Sequence, residues 1–224
     1  MLEAEGIQGA VLAAAGELQA LVNHLGLASR SAPATRFSFD SDLRAYLRRA
    51  FQFGQSELVS VDQPLGPSGV LARPSDVVVS ARTRTPQLAI ELQWHPRGED
   101  HLGFANAVMA DLHKMALAQT RKAVEQGAVL ATAPARFWRW LSGFAEEHPG
   151  YELLTADPDT PVSVRADFLA GPAWGFVFED GREPEVPERL WTQLLARVEV
   201  RSPWVDLELR LLEVKGLGQV RQLR

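Results

Sequence analysis

The chain has no cysteine, so disulfides, thiolate metal sites and a cysteine nucleophile are excluded, and a reducing compartment is expected. It has no excess of positive charge either. Lys and Arg number 23 against 28 Asp and Glu, a formal net charge of −5, so any contact with nucleic acid has to come from a local patch. Lysine is scarce: 3 stand against 20 arginines, which gives Lys114, Lys122 and Lys215 more weight than usual. No apolar run approaches the roughly 20 residues of a membrane span. The start, Met1 to Gly6, lacks the basic stretch of a signal peptide. The expectation is a cytoplasmic protein without membrane contact. What is present is ample apolar material, 46% of 224 residues, uninterrupted by repeats, low-complexity tracts or long linkers, which predicts one domain over 1–224.

Ile7, Val11, Leu12, Leu18, Leu21, Val22 and Leu25 recur at helical spacing and predict an N-terminal helix over 5–26. A second helix over 40–53 carries a stripe of Leu43, Tyr46, Leu47, Ala50 and Phe51 and stops at Gly54, with Ser38 or Asp40 available as its cap. Strands are predicted over 57–62, 75–81 and 87–94, then a long helix over 103–126 and a short apolar strand over 128–133. Beyond Pro134 the pattern stays α/β. A helix carries Phe137, Trp138, Trp140, Leu141 and Phe144, strands follow near 151–155, 162–169 and 175–179, a helix is expected over 188–198 and a strand over 205–214. The fold class is α/β, a mixed central sheet flanked by helices. Its core of about 38–133 reads αβββαβ, with the 5–26 helix before it and an α/β extension of further strands and helix over 134–224.

The second and third strands form a hairpin. A tight turn at Thr83 and Arg84 makes residues whose numbers sum to 167 face each other: Arg82 with Thr85, Ser80 with Gln87, Val78 with Ala89, Asp76 with Glu91. Alternation sends Val77, Val79, Leu88, Ile90 and Leu92 to one apolar face and leaves Asp76, Glu91 and Gln93 on the other. Opposed carboxylates about 4.5–5.5 Å apart at Cβ repel. A divalent cation, a shared proton or a neighbouring arginine relieves the repulsion. So does plain exposure of that face to water.

The run Arg73-Pro-Ser-Asp76, then Ile90-Glu91-Leu-Gln93, then a helix carrying Asp111 and Lys114, resembles the PD-(D/E)xK nuclease-like (restriction-endonuclease-like) superfamily over residues 38–133. The resemblance implies a restriction-endonuclease-like core and metal-dependent hydrolysis of phosphodiesters, in DNA rather than RNA, with Mg²⁺ or Mn²⁺. It makes Asp76, Glu91 and the carbonyl of Leu92 metal ligands, and Asp42, or in second place Asp40, the acid of the preceding helix. Gln93 stands where the family motif has lysine and cannot supply its charge. Lys114 is then the candidate for a lysine displaced onto the following helix, the alternative being a solvated residue paired with Asp111 or Asp100.

Arg73, Arg82 and Arg97 around the hairpin, with Arg44, Arg48 and Arg49 on the second helix, are candidates for a phosphate-binding rim; scattered solvated charge is the alternative. His95, His101 and His113 show no metallopeptidase spacing and read as surface or loop histidines. Trp138 and Trp140 alternate with Arg136 and Arg139, which suits either base stacking or an aromatic core face beside an arginine face. Functionally, the sequence points to a nuclease. The alternative is a catalytically degenerate relative acting as a scaffold or as an immunity or inhibitor partner; a third reading is a nuclease-like subunit that needs a protein partner to supply its DNA contacts, and a homodimer is also open.

Overall fold

The computed structural model of the chain describes residues 3–28, 39–54, 58–67, 69–80, 86–95, 100–170, 185–202 and 205–222. In chain order the elements are α1 (Ala4–Ala28), α2 (Asp40–Gly54), β1 (Leu58–Pro64), β2 (Pro74–Ser80), β3 (Leu88–Trp94), α3 (His101–Thr120), β4 (Gln126–Pro134), α4 (Ala135–Glu147), β5 (Val162–Arg165), β6 (Glu185–Ser202) and β7 (Val205–Gln222). The strands form one mixed sheet in the order β1-β2-β3-β4-β7-β6-β5. Only β3 and β4 pair in parallel, and α3 is the crossover that such a pairing requires.

Helices cover both faces. On one side α1 and α2 bury Val11, Leu18, Leu43, Leu47 and Phe51 against Val77, Val79, Leu88, Ile90 and Leu92. On the other, α3 and α4 bury Val108, Leu112, Phe137 and Leu141 against Val78, Ala89, Val129 and Leu212. The face predicted to be apolar is therefore core, and the acid-bearing face is core as well. Within α1, Leu12 breaks the predicted stripe and points outward.

Four predicted elements change. The expected helix over 188–198 is the middle of β6, which runs antiparallel to β7 along its whole length. A bulge between Leu194 and Ala196 accounts for the misreading. Before it, Leu190 and Leu194 face the α3 side; after it, Leu195 and Val198 pack on the α1 side. An extra residue in one strand reverses the alternation, and the resulting spacing of 190, 194, 195 and 198 imitates a helix. Tyr151–Thr155 is a 3-10 turn, not a strand, and Val162–Arg165 is a strand that gives way to a 3-10 turn at Ala166–Ala170. α3 stops at Thr120 instead of running to 126. Lys122 adopts φ 58°, its N–H donates to the Gln119 carbonyl and that of Ala123 to the Ala118 carbonyl, the paired bonds of a Schellman stop. The expected strand over 175–179, the Thr83–Arg84 turn and Ser38 lie outside the described residues.

His113, expected at the surface, is buried on α3. Its Nε2 meets the Glu185 carbonyl at 2.7 Å. Burial pushes its pKa down to about 4, against the smaller upward effect of that bond. Between about pH 4 and pH 6.5 the unfolded chain binds a proton here that the folded chain does not. Stability from this residue is therefore complete above that window and falls as the pH drops through it. The variant His113→Gln should lack the slope: urea unfolding from neutral pH to about pH 4 should cost the wild type about 3 kcal/mol relative to the variant.

Candidate active site

β2 and β3 pair as Val79↔Leu88, Val78↔Ala89 and Val77↔Ile90, the register read from the sequence. The described ladder ends there, while β2 continues its pairing with β1 through Ser75 and Pro74. Beyond Val77 the two strands part as a fork. In an unbroken ladder the Leu92 N–H would reach the Ser75 carbonyl; instead it donates to Asp76 Oδ2 at 2.8 Å. A side-chain carboxylate thus closes the fork. The Leu92 carbonyl lies on the same edge of β3 as its N–H, the edge toward β2.

Three acids sit at the fork on neighbouring strands. The β1–β2 register puts Asp62 opposite Asp76, between the pairs Val61↔Val77 and Gln63↔Ser75, and Glu91 is the residue of β3 after Ile90, where the described β2–β3 ladder has ended. A cation stands at each end of this group. Arg44 from α2 contacts Asp76 at 2.5 Å, Asp62 at 2.8 Å and Asp40 at 3.6 Å. Lys114 from α3 contacts Glu91 at 2.6 Å and donates to the Pro74 carbonyl at 2.8 Å. Asp62 itself sits at φ 54°, a left-handed conformation that aspartate tolerates better than most residues.

Glu91 and Lys114 are only 5% and 4% exposed. Water screening of the acids, one of the options left open by the sequence, therefore does not apply to Glu91. Burial raises the Glu91 pKa, and Lys114 opposes the rise. One turn before Lys114, Asp111 accepts a 2.7 Å hydrogen bond from Gln93 Nε2. Burial, followed by the neighbouring Glu91 carboxylate, pushes the Asp111 pKa well above the usual carboxylate range. Glu91 and Gln93 share a face of β3, and Lys114 and Asp111 are three apart on α3, so helix and strand meet through two successive polar rungs. A cleft of about 140 Å³ opens beside them, lined by Val70, Arg73, Pro74, Glu91, Ala110, Asp111 and Lys114.

The fold thus pairs Glu91 with Lys114 and Gln93 with Asp111 on α3, ties Asp76 to the Leu92 N–H and to Arg44 of α2, and places Arg73 at the cleft. Lys114 is not a solvated helix residue. Asp42 is elsewhere: its charge acts on Tyr46, on the side of Glu17 and Arg49. Asp40 is the α2 acid that faces the site, its pKa raised by burial and then by Asp76. Arg44, expected on a phosphate rim, is engaged with carboxylates, and Arg49 pairs with Glu17 at 2.6 Å. Arg82 and Arg97 lie outside the described residues. His95 is buried, its Nε2 3.1 Å from His101 Nδ1 among Phe104, Phe137 and Trp140. In α4, Phe137 and Trp138 are buried while Arg136 and Arg139 are not, the core-face arrangement.

Among the described residues no three histidine or carboxylate side chains converge as a ready-made metal cage. Mg²⁺ does not need one, because it takes one or two carboxylates and keeps its waters. Asp76, Glu91 and the Leu92 backbone all offer hard oxygens, with Glu91 partnered by Lys114 and by the Ser75 hydroxyl. This set fits a Mg²⁺ or Mn²⁺ ion. Comparison with known proteins finds no family model, curated protein or solved structure that matches the chain.

Removing Lys114 leaves Glu91 buried without its counter-charge. Lys114→Met should lower stability at neutral pH by about 3–5 kcal/mol, and the double variant Lys114→Met/Glu91→Leu should recover most of it, as measured by chemical denaturation.

Proposed function

We propose that this chain is a Mg²⁺- or Mn²⁺-dependent phosphodiesterase of the PD-(D/E)xK type that acts on DNA. The observation that supports this reading best is Lys114. The strand motif has Gln93 where a lysine is expected, and a buried lysine from α3 reaches the acid of that motif at 2.6 Å. The order α2, β1, β2, β3, α3, β4, with β3 and β4 parallel and the acids at the β2–β3 fork, agrees with a restriction-endonuclease-like core. Strongly perturbed ionisable groups gathered in a cleft are also a general mark of a functional site.

In this reading Asp76, Glu91 and the Leu92 carbonyl hold the cation. A bound ion of this type polarises the phosphate and lowers the pKa of a coordinated water. Lys114 stays beside the reacting phosphate, oriented by the Pro74 carbonyl, and offsets the negative charge that develops in the transition state. Gln93 orients the attacking water by a hydrogen bond, a task that needs no charge. Arg73 contacts the phosphate backbone at the mouth of the cleft, a local positive element in a chain of net charge −5.

The competing reading is a scaffold, inhibitor or immunity protein without turnover. It is favoured by one observation: Arg44 and Lys114 already neutralise Asp76 and Glu91. Cleavage of supercoiled plasmid and single-stranded DNA with Mn²⁺ separates the two. The expected result is cleavage by wild type and none by Asp76→Ala or Glu91→Ala. Cleavage that persists in both variants would remove the site assignment. A wild type that neither cleaves nor gains melting temperature with Mn²⁺ would establish the scaffold reading.

A further inference from the structure

We infer that Asp111 is a positioning residue, which fixes the orientation of the Gln93 amide so that its oxygen is presented to the attacking water. The inference rests on the phosphodiesterase reading above. A glutamine side chain has a donor end and an acceptor end, and alone it turns either way. An ionised carboxyl group only accepts, so it can meet only the donor end of the amide, whereas a protonated one also offers a donor. By taking the hydrogen bond from Gln93 Nε2 at 2.7 Å, Asp111 selects one of the two orientations and leaves Oε1 as the end available to water.

That choice matters because of what Gln93 replaces. A lysine at this position supplies a positive charge and donors together. Here the charge comes from Lys114, 2.6 Å from Glu91, and Gln93 is left with orientation alone. An acceptor takes a hydrogen bond from the water and aims its lone pair; a donor in its place would occupy that lone pair. The identity of the amide end facing the water therefore decides whether Gln93 helps or hinders.

The location of Asp111 is costly on structural grounds. It sits beside Glu91, lines the same cleft and adds an acid to a group that already holds Asp62, Asp76 and Glu91. Its position one turn from Lys114 lets α3 address two alternate residues of β3, Glu91 for charge and Gln93 for orientation.

The test compares Asp111→Ala, Asp111→Asn, Gln93→Ala and the Asp111→Ala/Gln93→Ala double variant in Mn²⁺-dependent DNA cleavage, with the Mn²⁺-induced rise in melting temperature read in parallel. Asp111→Ala should lower kcat on the order of 10²-fold with KM little changed and the Mn²⁺ response kept. Asp111→Asn keeps an acceptor oxygen but adds an N–H₂ donor that can meet Oε1 instead, so it should fall between Asp111→Ala and wild type. The double variant should be no slower than Gln93→Ala, because both changes remove one function. Wild-type rates in Asp111→Ala, multiplicative losses in the double variant, or loss of the Mn²⁺ response on removing Asp111 would each overturn the inference. So would loss of a cooperative melt, which would make Asp111 a structural residue. If wild type does not cleave, the phosphodiesterase reading fails and takes this inference with it; a cleaving wild type beside an unaffected Asp111→Ala removes the inference alone.

Discussion

The ion pair between Lys114 and Glu91 is the interaction on which the site depends, because it ties three elements at one point. Lys114 comes from α3, Glu91 from β3, and the carbonyl that accepts a further hydrogen bond from the ammonium is that of Pro74, the first residue of β2. Two charges taken out of water repay their desolvation only when their geometry and remaining hydrogen bonds are good. The Pro74 contact supplies part of that requirement. With Lys114 in place, α3 is held at a height and rotation that bring Asp111 over Gln93, and the start of β2 stays beside β3 although their ladder has ended. The fork, its closure by Asp76 and the cleft all lie beside this junction.

Charge is distributed by position, not by total. The chain is acidic as a whole, and its centre concentrates that acidity: Asp62, Asp76 and Glu91 on three neighbouring strands, with Asp40 and Asp111 on flanking helices. Arg44 and Lys114 pair with acids of this group. A surplus of carboxylate over cation is unfavourable for a protein built for stability alone, and it is the condition under which a divalent ion is attracted. The three lysines also divide by environment. Lys114 is buried in the site, Lys122 takes the left-handed stop of α3, and Lys215 lies 4.2 Å over the Trp191 ring.

Much of the hairpin is legible in the sequence, since strand alternation and a turn are local rules: they set which residues face which, and the pairs from Val77 to Val79 follow them. The partners brought from helices are not. Whether Lys114 faces water or Glu91 depends on how α3 is rotated over the sheet, and a helix whose apolar residues occur all round has no polar face to reveal that rotation. In α3 that ambiguity is plain, with Ala105, Met109, Leu112, Met115, Ala116 and Leu117 all buried. The choice between Asp40 and Asp42 does not resolve from sequence for a related reason: the two residues lie about 200° apart around α2, and only the packing of that helix selects one. Asp62 is hidden behind the connection to β2, which carries no register information. Asp111 has a weaker signal, its spacing of three from Lys114, the same interval that places two side chains on one helix face.

The bulge in β6 has a consequence for how the molecule comes apart. Because the strand changes sides at Leu194–Ala196, one hairpin closes both apolar compartments: Leu190 and Leu212 seal one, Val200 and Leu209 the other. Detaching it would wet the two halves of the interior at once.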